Sequence, residues 1–159
     1  MGSKAYRPLI ALVLVAFLAA LAVLHGIQGN WIQWMHYFMG FFFCQFAMLK
    51  MFHLDGFVMG FQKYDLLAMK WGSYGYVYPF IELALGLAYL SFILPILTYF
   101  ITVLIAFVGS IGVIKALKKG LDLRCACMGT ILDVPLSTVT LTEDITMGLM
   151  ALFMLWSHL

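Results

Sequence analysis

The sequence predicts an all-α integral membrane protein: a bundle of about five transmembrane helices with a short interfacial segment. Three observations predict it. Hydrophobic residues make up 65% of the 159-residue chain and charged residues 10%, too little polar material to cover a water-soluble globule of this length. The apolar residues gather into five runs, each close to the roughly 20 residues a helix needs to cross a bilayer. Lys4 and Arg7, then Lys50, Lys63 and Lys70, then Lys115, Lys118, Lys119 and Arg124 all fall on one side of a five-span path. The connections on the other side, residues 25–30 and the turn at Pro95, carry no Lys or Arg.

The first run, about 8–24, is uncharged and follows Lys4 and Arg7, which is also how a secretory signal opens. Its length of about 17 residues exceeds the usual signal core, so a retained anchor is expected; cleavage near Ala20-Leu21-Ala22 would leave four spans. The second run, about 31–52, opens on interfacial aromatics and carries His36, Cys44, Gln45 and Lys50. Between residues 53 and 74, Phe57, Phe61, Leu66, Leu67 and Trp71 mix with Lys63, Asp65 and Lys70, a pattern that suits an in-plane or re-entrant helix.

The third run, about 76–94, places Pro79 in a first turn, where its missing N–H costs nothing, and stops at Pro95. The fourth spans about 99–117. A loop over 121–135 follows, and Thr140-Leu-Thr-Glu143 reads as a capping box opening a last helix over about 140–156. Five such spans leave little chain for anything else, so residues 1–159 read as one membrane domain. The net charge of +2 and the absence of an extended basic patch exclude a nucleic-acid partner. The expected partner is the lipid bilayer of a bacterial inner membrane, with the N-terminus and the 121–135 loop on the cytoplasmic side.

Chemistry concentrates on few residues. Cys125 and Cys127 place two soft sulfurs side by side in a loop, which suits a dithiol/disulfide couple or a thiophilic ion such as Cu(I). A disulfide across two residues needs the alpha carbons within about 7 Å and is tight and readily reduced, which favours exchange over stapling. Arg124 stands beside the pair and favours thiolate. Two ordinary loop cysteines are the plain alternative.

Cys44, about 20 Å along its helix from Trp31, and Glu82, about 9 Å from Tyr76, are expected at similar depth near the same membrane face. Glu82 is an ionisable residue within a span, hence a candidate for moving a proton to or from a thiol, or a structural acid bonded to Gln45 or a tyrosine. Lys50 is expected to snorkel to the interface, His36 to pack rather than ligate, and Glu143 and Asp144 to serve the start of the last helix. No phosphate loop, nucleophile elbow or HExxH motif occurs, and no cofactor motif is evident.

Three segments carry a family resemblance: Pro79-Phe-Ile-Glu82-Leu-Ala-Leu-Gly86-Leu, Cys125-Ala-Cys127-Met-Gly129, and the Glu143-Asp144 helix. They resemble the MauE branch of the DoxX-like membrane proteins, over about residues 31–155; Met128 stands where an aromatic is expected. The resemblance implies a helical bundle and a redox-associated role linked to disulfide formation or maturation of an exported dehydrogenase. It makes Cys125 and Cys127 the paired thiols and Glu82 the intramembrane acid. Work on exported proteins calls for the outer face, whereas three basic loops independently place the cysteine loop inside; the charge rule is followed here.

The leading expectation is a thiol–disulfide redox protein, an oxidoreductase in that reading, in which Cys125 and Cys127 exchange a disulfide with a thiol redox protein, Cys44 resolves and Glu82 manages a proton. The first alternative is a copper or mercury binding or transport protein served by a metal carrier, with Cys125, Cys127 and Cys44 as ligands. The second is a noncatalytic subunit that docks a partner through the segment from Phe57 to Trp71.

Overall fold

The computed structural model describes residues 7–120 and 136–158, with side chains of the last segment described from residue 141. The paired cysteines therefore lie outside the described residues. All regular structure among the described residues is helical: α1 (Arg7–Ile27), α2 (Trp31–Phe52), α3 (Leu54–Phe61), α4 (Gly72–Ser91), α5 (Pro95–Lys118) and α6 (Leu136–His158). Five of these run 20 to 24 residues and coincide with the five apolar runs. α1 and α5 are each long and apolar enough to cross a membrane, and α2 with α3 qualifies as a pair bent by 102°. The all-α membrane class read from composition is the class observed.

Local chemistry sets the helix ends. Asn30 caps α2 by accepting from the Gln33 N–H at 3.0 Å, and the Gln33 side chain accepts from the Asn30 N–H at 3.0 Å, so two end-of-helix donors are satisfied reciprocally. α4 begins at Gly72, earlier than the predicted start near Tyr76, so Pro79 lies inside the helix. The pyrrolidine ring crowds the carbonyl four residues back and withholds a hydrogen bond from it. That residue is Gly75, which packs against Val58. Pro95 is the first residue of α5, its fixed φ preorganised for helix, and the fourth run accordingly starts before the predicted residue 99. The turn between α4 and α5 uses left-handed backbone at Phe92 and Leu94, and the Phe92 ring is held by stacking on His36 at 4.4 Å.

The mixed stretch after α2 folds inward. Phe57, Val58, Phe61, Tyr64 and Ala68 are buried against Val113 and Ala116 of α5. Gly112 makes this possible: a Cβ there would stand 2.5 Å from the Tyr64 carbonyl oxygen. The expected docking surface from Phe57 to Trp71 is thus largely consumed inside the molecule, leaving Met59, Met69 and Trp71 exposed. The same contact brings Lys63 and Lys70 to the end of the bundle that carries Lys115, Lys118 and Lys119.

α2 packs closely on α4 and on α1, and α5 packs closely on α6; contacts between the two groups are sparse. Small residues permit the tightest crossing. A Cβ on Gly86 would lie 2.7 Å from the Cys44 Sγ and 3.1 Å from the Gly40 carbonyl oxygen, the close backbone approach typical of helices packed in lipid. The α1 helix joins through Ala16 and Ala20, both fully buried, and through Phe17 edge-on to Trp34.

Candidate functional site

The seam between α2/α4 and α5/α6 holds ionisable side chains at its centre. Each arrives on the inner stripe of its helix. In α2 the buried residues His36, Met39, Phe43, Ala47 and Lys50 follow one another at helical spacing, as do Gly75, Pro79, Glu82, Gly86 and Tyr89 in α4. In α6, Asp144 and Met147 fall in phase with Ala151 and Met154, both fully buried.

Lys50 Nζ donates to Glu82 Oε2 at 2.5 Å, with both side chains at least 95% shielded. The ammonium also sits 5.6 Å from the Phe57 ring centre and 5.2 Å from that of Tyr78. A buried cation is tolerable when it is paired and its remaining surface faces aromatic quadrupoles. This corrects the expected snorkelling of Lys50: α3 turns sharply across the end of α2 and closes the way to the interface, so the side chain folds inward. It also replaces the expected Glu82 contact with Gln45 or a tyrosine.

A cavity of about 30 Å³ adjoins the pair, room for one or two waters. Asp65, Glu143 and Asp144 line it together with Lys50 and Glu82. Glu143 and Asp144 were expected at the start of a last helix opening at Thr140; α6 instead begins at Leu136, about one turn earlier, which carries both carboxylates further into the bundle. Gly109 of α5 gives Asp144 its place, since a Cβ there would meet Asp144 Oδ2 at 2.9 Å. At about 1.5 Å per residue, Asp144 lies roughly 12 Å in from the start of α6 and Glu82 roughly 15 Å in from the start of α4. Asp65, in the segment between α3 and α4, accepts from the Leu67 and Ala68 N–H groups at 2.9 Å each. Burial raises its carboxyl above the ordinary range, against the opposing pull of the Ala68 and Leu67 N–H groups.

Of the expected site residues, Cys44 and Glu82 are brought together: Cys44 touches Gly86, one turn of α4 beyond Glu82. Cys125 and Cys127 fall outside the described residues. His36 packs, as expected. It bonds the Tyr99 hydroxyl through Nε2 and the Tyr89 carbonyl oxygen at 3.2 Å through Nδ1, tying α2 to α4 and α5 toward the far end of the bundle. Among the described residues no group of three or more His, Cys, Asp or Glu side chains is arranged to hold a metal ion. Sequence reasoning missed Lys50 and Asp144 as site members, although both sit in phase with a buried stripe.

Among the described residues, five long helices, a helix pair bent by 102° and a charged seam in an apolar bundle define a multi-pass membrane protein with a polar site between helix pairs. The family model for methylamine utilisation protein MauE matches residues 28–157, most of the chain, and the chain belongs to that family. α1, which ends at Ile27, lies ahead of the matched region. The match bears on the MauE part of the resemblance; the DoxX-like kinship stays an expectation. No curated protein and no solved structure matches the chain.

Proposed function

We propose that this MauE-family chain is a membrane thiol–disulfide redox protein, an oxidoreductase whose exchanging pair is Cys125 and Cys127. One observation carries the reading. The 121–135 connection joins α5 to α6, the helices whose inner faces form one wall of the charged cavity, while Cys44, Lys50 and Glu82 stand on the facing helices. Residues 121–135 follow α5, which ends at Lys118, and precede α6, which begins at Leu136, and in this reading the cysteine pair works at that end of the bundle.

In the exchange, a thiolate of the pair attacks a disulfide of a partner protein and displaces one partner thiol. The second cysteine then attacks the mixed disulfide, so the loop pair is oxidised, the partner is reduced to a dithiol, and two protons pass from the pair to the partner. Run in reverse, the same steps oxidise a partner dithiol. Arg124 supplies the positive charge that favours the attacking thiolate. Cys44 serves as a third thiol able to resolve a trapped intermediate, and Glu82, fixed by Lys50, belongs to the proton-handling surroundings. The chain crosses the bilayer five times in this reading, with the basic end and the cysteine loop in the cytoplasm.

Alkylation followed by mass spectrometry, on membranes equilibrated over a series of redox potentials, tests this. Cys125 and Cys127 are expected to lose and regain reactivity together as one two-electron couple, and replacing both Cys125 and Cys44 with Ser is expected to leave Cys127 alkylatable throughout. A pair that stays reduced at every potential contradicts the proposal.

A further inference from the structure

Two lysine groups that are far apart in the chain are drawn together at the basic end of the bundle. Tyr64 and Ala68, between α3 and α4, pack with Val113 and Ala116 of α5, and the Tyr64 carbonyl lies against Gly112. Lys63 and Lys70 flank those contacts in the chain, and Lys115, Lys118 and Lys119 follow Gly112 within about two turns. All five lysines are exposed, and among the described residues none of them is in an ion pair. Cations at the end of α5 also complement its helix dipole, but Lys63 and Lys70 stand on another segment and have no such duty.

The described carboxylates of the neighbouring segments are engaged elsewhere. Asp65 is buried and accepts from the Leu67 and Ala68 N–H groups, and Asp55 accepts from the Tyr76 hydroxyl at 3.1 Å. By sequence, the 121–135 connection adds Arg124 together with Asp122 and Asp133.

An apolar track leads from these lysines toward the middle of the bilayer. Phe107, Ile111, Ile114 and Lys118 follow one another at helical spacing on α5, and Phe107 and Ile114 are exposed. From Phe107 to Lys118 the helix rises about 16 Å, the depth of one leaflet of a hydrocarbon core about 30 Å thick. Met69 and Trp71, exposed beside Lys70, suit the boundary between headgroups and acyl chains. Cations at headgroup level above an apolar surface one leaflet deep match a negatively charged headgroup and its chain. An acidic face of a soluble protein would meet the lysines alone.

We propose that the basic end carries a binding site for an anionic phospholipid, its phosphate held jointly by Lys63 and Lys70 and by Lys115 and Lys118, with an acyl chain lying along Phe107, Ile111 and Ile114. Ammonium groups on flexible stems act as point charges, so the site selects a net negative headgroup rather than one headgroup structure. The bound lipid bridges the α3–α4 segment and α5, whose own contact rests on the small surface of Gly112. The site does not depend on the cysteines, and its test is independent of thiol chemistry.

Native mass spectrometry of the full chain in detergent, titrated with dioleoyl phosphatidylglycerol or dioleoyl phosphatidylcholine, tests the proposal. Phosphatidylglycerol adducts are expected to be several-fold more abundant and to survive activation that strips phosphatidylcholine. Lys63→Gln combined with Lys115→Gln, one charge from each segment, is expected to lose that preference. Lys4→Gln combined with Arg7→Gln removes the same amount of charge and is expected to keep it. Glycerol 1-phosphate, which has the phosphate without the chains, is expected to compete far more weakly than the lipid. Equal retention of the two lipids overturns the proposal and leaves the lysines to an acidic protein. It is equally overturned by a preference that survives in the Lys63/Lys115 variant, by an equal loss in the Lys4/Arg7 variant, or by glycerol 1-phosphate competing as well as phosphatidylglycerol.

Discussion

At the scale of single residues, Lys50 shows how far a sequence can mislead about a charge. A lysine two residues from the end of an apolar run ordinarily reaches back to the interface. Here it is 3% exposed, because α3 and the aromatic rings of Phe57 and Tyr78 cover that end of α2. The pair it forms with Glu82 has a measurable signature. Removing one partner of a buried ion pair leaves an uncompensated charge, at a cost of about 3–5 kcal/mol, whereas replacing both with apolar groups of similar volume is often close to neutral. Thermal unfolding in detergent is therefore expected to show Lys50→Met and Glu82→Met each strongly destabilised and the double variant close to the parent. Additive losses would mean that the two side chains do not compensate one another.

Glu82 was legible as a site residue because a carboxylate inside a span is conspicuous. Asp144 was hidden by its neighbours: Thr140 and Glu143 imitate a helix start, whereas the true start at Leu136 follows Pro135, which closes the loop expected over 121–135. The phase of Asp144 with Met147, Ala151 and Met154 was the signal that would have found it.

At the scale of helices, positions were legible and boundaries less so. Apolar runs located all five long helices, but Pro79 and Pro95 fixed their ends in ways that depend on neighbours, Gly75 in one case and the left-handed Leu94 in the other. The α2–α4 crossing depends on two glycines that the sequence presents without any hint that they face one another. Gly86→Ala places a Cβ against the backbone N of Cys44 at 3.0 Å, which only a shift of the helices relieves. It is expected to destabilise the solubilised protein by about 1–3 kcal/mol. Gly26→Ala, in α1 with nothing within 4 Å of the added Cβ, is expected to be neutral or slightly stabilising by the same unfolding measurement. Equal effects at the two positions would argue against the close crossing.

At the scale of the whole molecule, the class was legible because choice of solvent depends on bulk composition, which needs no knowledge of contacts. The grouping of α1, α2 and α4 against α5 and α6 was not, since it is set by small residues and matched polar groups scattered over the chain. Cys44 and Glu82 lie close together across the α2–α4 crossing, and Lys50 and Asp144 line the seam with Glu82; the cysteine loop expected to converge with them lies outside the described residues. The central claim is that the cysteine loop and this seam work as one place. Oxidative cross-linking of membranes carrying Cys125→Ser or Cys127→Ser, followed by non-reducing peptide mapping, tests it most directly. A disulfide between Cys44 and the remaining loop cysteine is the predicted result; Cys44 recovered free and fully alkylated from both variants would contradict it.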